Sequence, residues 1–331
     1  KPTAASTRSV GFAINLHHTE HLPKYIDAVD RIAALGAGAV QIHTPAFQTH
    51  GGSTDIRVEV GPGRAPSTDD LFRLLTYAKS RGLHVSLMPH VLFTDPRGNE
   101  WRGKIHPDDW DAWWRNYRAM ITHFADLAAQ AHVDRLFVGS EYLSTETMTV
   151  RWRDLIAHVR RRFAGEIAYS TNWDSFHKPT FWKYVDVIGV NGYWDVTTLT
   201  DPQSPDVSKV IERWSEILQR VDRFGLAQRK AVVLTEVGYP SLPHALRDPW
   251  NYVKGRDGEA DHATQAMGYR AFVEAWDRTL AAPAGTQRGG IVGVTFFKWD
   301  PYHQGGPKDT GYGIRGKPAH AIVKTWLAES R

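Results

Sequence analysis

The 331-residue chain contains no cysteine. Disulfides, a thiolate nucleophile and any zinc site built on thiolates are therefore excluded, while the compartment stays open because many exported bacterial proteins also lack cysteine. No apolar run approaches the length that crosses a membrane, so no membrane partner is expected. Nor does one charge dominate: 40 basic residues face 36 acidic ones, for a net charge of +4. The one dense basic run, Arg160-Arg161-Arg162, closes a helical pattern, where cations complement the helix dipole. It reads as a solvated helix end, and no nucleic-acid partner is expected. G-x-S-x-G, H-E-x-x-H and EF-hand patterns are all missing. Residues 311–317 imitate a phosphate loop, but Pro318 stands where Ser or Thr is required and no apolar strand precedes it.

What the chain does have is β–α alternation. Short apolar runs at 9–16, 39–42, 84–88, 135–140, 166–169, 185–190, 231–237 and 290–297 suit strands buried on both faces. Helical periodicity follows most of them, at 22–35, 71–80, from about 108, and at 150–163, 206–224, 263–280 and 318–327. Eight strands with no composition break predict one α/β domain over 1–331, a single (β/α)8 TIM barrel. An open doubly wound sheet would be expected to carry a nucleotide signature, and none is found. The loop at 50–66 is longer than packing alone needs and is a candidate functional loop.

Two strands end in the same unusual way. The run 231–239 reads A-V-V-L-T-E-V-G-Y, and 133–141 reads V-D-R-L-F-V-G-S-E. A carboxylate at the end of a buried strand is costly to desolvate unless it is paired or has chemistry to do. A lone example would be read as an ion-paired cap; two, Glu141 and Glu236, look like a convergent pair. In a barrel, strands four and seven would set them across the mouth. Glycoside hydrolysis needs two carboxyls, one to protonate the leaving oxygen and one to attack or to activate water. Around them stand Trp299, Asn172, Tyr193 and His90, with Asn15, His17, Trp101, Trp173 and Lys298 as further candidates for substrate binding. With thirteen tryptophans and twelve tyrosines in the chain, stacking on sugar rings and core packing compete as roles, and for Trp299 the two are evenly matched. His17, His18, His43 and His90 sit at strand ends and could gather a metal, but hydrogen bonding is their more usual role, so no metal and no cofactor are expected.

The chain resembles clan A of the retaining glycoside hydrolases, and more narrowly glycoside hydrolase family 113, whose characterised members are endo-β-1,4-mannanases. The matching stretches are V-G-S-E (138–141), Y-S-T-N-W-D (169–174), D-V-I-G-V-N-G-Y (186–193), T-E-V-G-Y (235–239) and F-F-K-W (296–299), with W-R-G-K-I (101–105) and the long Trp-rich helix also fitting. The resemblance implies Glu141 as general acid/base and Glu236 as nucleophile. Two departures stand out. Ser140 occupies the place where much of clan A has an Asn that bonds the sugar 2-hydroxyl, and Asn172 is the expected substitute. The Arg that many members carry near the end of strand two is absent, which leaves Tyr193 to support the nucleophile.

The expectation is a retaining endo-β-1,4-mannanase acting as a monomer on a polysaccharide or oligosaccharide. The chain opens K-P-T-A-A-S-T without Met, which reads as a processed N-terminus and a secreted or periplasmic protein. Three rivals remain: a clan A enzyme for another β-linked glycan or in exo mode, a non-catalytic sugar-binding barrel, and a metal-dependent barrel hydrolase.

Overall fold

A computed structural model describes residues 9–16, 21–58, 65–197, 206–253, 258–280 and 290–329. Eight parallel strands hydrogen-bond in chain order and close into a barrel: β1 Ser9–Asn15, β2 Ala39–Gln48, β3 His84–Phe93, β4 Arg135–Ser140, β5 Glu166–Asn172, β6 Val187–Asn191, β7 Ala231–Val237 and β8 Gly290–Phe296. The α-helices among the described residues are α1 Leu22–Leu35, α2 Thr68–Ser80, α3 Trp110–Gln130, α4 Thr149–Arg160, α5 Val207–Gln228, α6 His262–Leu280 and α7 Pro318–Glu329. This is the (β/α)8 barrel expected from the alternation. Among the described residues, no helix is long and apolar enough to cross a membrane.

The chain groups into two compact units, 1–14 with 30–38 and 190–331, and 15–29 with 39–189. In the second unit β2 and β3 run in register over ten pairs, from Ala39 opposite His84 to Gln48 opposite Phe93. Both strands run about five residues past their expected ends, 42 and 88. Pro45 and Pro89 made them look finished. Proline has no N–H, so a strand can contain it where its nitrogen faces away from the partner. The long helix α3 starts where the Asp109 side chain accepts the N–H of Ala112, and it buries Trp113, Trp114, Tyr117, Ile121 and Phe124. Its aromatic face meets Tyr142 and Trp152, and Trp152 in turn packs on Tyr169 and Phe181 at 4.9 and 5.0 Å between ring centroids. Much of the aromatic content is therefore core beneath the ends of β4 and β5. Gly139 is required there, because a Cβ would come within 2.9 Å of both Trp152 and Tyr169.

In the other unit β8 pairs with β1, from Ser9 opposite Gly293 to Phe12 opposite Phe296, and with β7 on its other side. Just past β7 and β8 the chain segments run so close together that a Cβ on Gly238 would lie 1.8 Å from the Phe297 carbonyl oxygen. That contact admits only glycine.

Candidate active site

Glu141 directly follows β4 and is 8% exposed. Its φ is 61°, in the left-handed region that residues with side chains seldom occupy. Such a conformation costs on the order of 1–3 kcal/mol and persists only where its surroundings over-determine it. Four contacts do so. The Glu141 N–H donates to the Ser170 carbonyl at 2.9 Å, and the Tyr142 N–H donates to the Tyr169 hydroxyl at 3.0 Å. Arg102 Nε donates to the Ser140 carbonyl at 3.0 Å, while its Nη2 pairs with Glu141 Oε2. Arg102 thus grips both the backbone and the carboxylate of the turn. It lies within W-R-G-K-I, where Trp101 was a candidate but the arginine itself was given no role, since nothing in the sequence indicates which carboxylate a loop arginine reaches.

Other candidates collect in the same unit. Asn172 ends β5, 7% exposed, and its Oδ1 is buried with no hydrogen bond among the described residues. Trp173 follows it, half-buried. His90 on β3 meets the ring of His43 edge-on at 5.9 Å, and His43 Nε2 lies 2.6 Å from Gln41 Nε2. Trp101 is half-buried beneath the Arg102 guanidinium, 5.9 Å from its ring centroid. Asn15 closes β1 with a buried Oδ1 that likewise has no hydrogen bond among the described residues. His17 and His18 lie outside the described residues, as do residues 59–64 of the candidate loop. Among the described residues no three His, Asp or Glu side chains gather as a metal site.

In the other unit, Glu236 is the penultimate residue of β7 and 6% exposed. The Tyr193 hydroxyl donates to its Oε2 at 2.6 Å, and the Gly192 N–H donates to its carbonyl at 2.5 Å. The stretch after β6 therefore holds the residue by both backbone and side chain. Tyr312 stands against Tyr193, ring to ring at 6.3 Å; burial and then the negative charge of Glu236 push its hydroxyl well above the usual range. Lys298 is half-buried and pairs with Asp300 at 3.4 Å. Burial works to raise the Asp300 carboxyl, but Lys298 and the N–H groups of Tyr302 and His303 outweigh it and hold the group below its ordinary value.

Of the two roles weighed for Trp299, its described contacts are those of packing. It is 2% exposed, edge-on to Phe12 at 5.3 Å, with the Arg315 guanidinium 5.6 Å from its ring centroid. A ring so covered leaves little face for a sugar to stack on.

The sequence profile of glycoside hydrolase family 113 matches residues 17–316, nearly the whole chain. The protein belongs to glycoside hydrolase family 113. Several solved structures resemble this family 113 barrel. The family 113 β-mannanase AaManA from Alicyclobacillus acidocaldarius, in complex with ManMIm, is 24% identical with a TM-score of 0.82, covering 99% of each chain. A family 113 β-1,4-mannanase is 24% identical with a TM-score of 0.80, covering 98% of this chain and 100% of its own. More distantly, GH5_18 from Streptomyces cattleya in complex with GlcNAc is 15% identical with a TM-score of 0.58, covering 99% of this chain and 81% of its own. At these identities the likeness is one of fold. None of the curated proteins compared with the chain matches it. By family, then, the chain is a glycoside hydrolase and its substrate a carbohydrate.

Proposed function

We propose that the protein is a retaining endo-β-1,4-mannanase that uses Glu236 as nucleophile and Glu141 as general acid/base, without cofactor. The observation that carries this is a buried carboxylate at each of two strand ends, each held by its own partner, in a chain of family 113. Mannan is favoured because the family 113 solved structures named above are β-mannanases by their own descriptions.

The chemistry is a double displacement. The Glu236 carboxylate attacks the anomeric carbon as the glycosidic bond breaks, and the protonated Glu141 gives its proton to the departing oxygen. Water then attacks the glycosyl-enzyme, Glu141 takes a proton from it, and the sugar leaves with its original anomeric configuration. The Tyr193 hydroxyl on Glu236 Oε2 orients the nucleophile, so that it meets substrate in one rotamer. Asn172 is assigned to the sugar 2-hydroxyl, with His90, Trp101, Trp173, Lys298, Asn15 and His17 as supporting contacts; the burial of Trp299 gives it a lesser part than the others. A polymeric substrate fits a secreted or periplasmic location, and the barrel is taken to act as one catalytic domain and a monomer.

The test is a product profile on mannan, glucomannan, xylan and cellulose, with proton NMR on the first product. Early release of mixed mannooligosaccharides in the β-configuration is expected. Cleavage of another polymer in preference to mannan overturns the substrate, single-size products overturn the endo mode, and initial α-anomer overturns retention. The two roles separate with azide on an activated substrate: Glu141→Ala should yield a β-glycosyl azide and Glu236→Ala the α-azide. Swapped products reverse the assignment.

A further inference from the structure

Glu146 is a second buried carboxyl near β4, and the double displacement has no use for it. It lies on the loop between β4 and α4 and is 1% exposed. Its Oε1 accepts two hydroxyl hydrogen bonds, from Thr171 at 2.6 Å and from Tyr169 at 3.0 Å. Its Oε2 is buried with no hydrogen bond among the described residues. Ionising a carboxyl in such surroundings is unfavourable. Burial pushes Glu146 up to about 7; the two hydroxyls and Lys178 oppose that rise, and the charge of Glu141 adds to it.

From Glu146 a short relay leads to Glu141. The Tyr169 hydroxyl that donates to Glu146 also accepts the Tyr142 N–H at 3.0 Å. Tyr142 is the residue next to Glu141, and the Tyr142 hydroxyl is fixed in turn by the Val91 N–H at 3.0 Å. The carbonyl of Tyr142 accepts both the N–H and the hydroxyl of Thr145 at 2.8 Å, directly before Glu146. The left-handed turn at Glu141 is thus closed by a ring of bonds in which Glu146 orients the one hydroxyl that holds the Tyr142 N–H.

We propose that Glu146 is a positioning residue for Glu141: its carboxyl orients the Tyr169 hydroxyl, which holds the Tyr142 N–H and so fixes the left-handed turn from which Glu141 meets its substrate. The groups facing Glu146 are Thr171 and Tyr169 from β5, Lys178 from the segment after β5, and Glu141 from the loop after β4. Arg102, from the loop after β3, pairs with Glu141. The inference rests on the reading of Glu141 as the acid/base.

The experiment measures kcat and KM for wild type, Glu146→Gln, Glu146→Leu and Thr171→Val on a mannooligosaccharide. Glu146→Gln keeps an acceptor for Tyr169 and should stay near wild type, whereas Glu146→Leu removes it and should lower kcat by about 10-fold at unchanged KM. Thr171→Val takes a donor from Glu146 but leaves Tyr169 its acceptor, and should also stay near wild type. If Glu146→Leu fails to fold, Tyr169→Phe, which deletes the relay hydroxyl, decides in its place. The loss should vanish in kcat/KM on an aryl mannoside whose leaving group departs without a proton. Unchanged turnover in the folded variant overturns the inference, and so does an equal loss on the aryl substrate. Glu141→Ala is the control: if it cuts polymer normally, the acid/base reading itself has failed, whereas its collapse beside unchanged turnover in the relay variants condemns the role of Glu146 alone.

Discussion

Removing the charge of Glu146 should change how the stability of the barrel depends on pH. An ordinary glutamate has a value of 4.5, and burial lifts this one to about 7 in the folded protein. Between those values the folded state binds a proton that the unfolded chain has released. Stability from this group is therefore fully present below about 4.5 and is lost as pH rises through about 7. A difference of about 2.5 pH units corresponds to about 3 kcal/mol, incurred between about pH 4 and pH 8, with about 2.5 kcal/mol of it above pH 5. Glu146→Gln does not titrate and escapes that loss. Its buried amide adds a fixed cost of about 1–3 kcal/mol, because Oε2 sits where no described residue offers a partner. The variant should therefore be less stable than wild type at pH 5 and should gain on it by about 2.5 kcal/mol by pH 8, with little more beyond, roughly 4 °C in relative Tm for a chain of this size. Thermal melts of both proteins at half-unit steps from pH 5 to pH 9 read the difference directly. A gap between the two curves that stays constant across the range refutes the reasoning, because Glu146 would then be no more reluctant to ionise when folded than when unfolded.

Three further outcomes are expected. Tyr193→Phe deletes the hydroxyl 2.6 Å from Glu236 Oε2 and should lower kcat/KM by about 10- to 100-fold with little change in Tm, since a hydrogen bond to a charged group contributes about 1.5–3 kcal/mol; unchanged kcat/KM would mean that Tyr193 does not serve the nucleophile. Trp299→Ala empties a site that is 2% exposed and should cost about 3–5 kcal/mol of stability, seen as a large drop in Tm. A variant with the wild-type Tm and poor turnover would return Trp299 to the role of sugar platform. Exhaustive chelation should leave activity on mannan unchanged, and a loss reversed by a divalent metal would revive the metal-hydrolase reading.

Local pattern was enough for the fold and for placing two glutamates at the ends of buried strands. Strands buried on both faces leave apolar runs that survive any detail of packing, and the helix period of α3 is visible from Trp110 to Ala128 because one face of it is core. A carboxylate at the end of such a run is conspicuous wherever it occurs, which is why Glu141 and Glu236 could be singled out. Tyr193 could be named because the stretch it closes resembles a known family. Elsewhere local pattern misled or was silent. The prolines at 45 and 89 hid the outer halves of β2 and β3, since whether a missing N–H matters depends on which way the nitrogen faces. The left-handed backbone at Glu141 has no sequence marker, for a glutamate takes that conformation only when its neighbours impose it. Those neighbours come from distant segments: Arg102 is 39 residues from Glu141, and Tyr169 is 27 from Tyr142 and 23 from Glu146. The burial of Trp299 is likewise set by Phe12 and Arg315, which only strand pairing and the final loops bring to its ring. Periodicity and residue type travel with the chain, whereas which donor meets which acceptor, and which ring is covered, arise from contacts between segments that folding alone brings together.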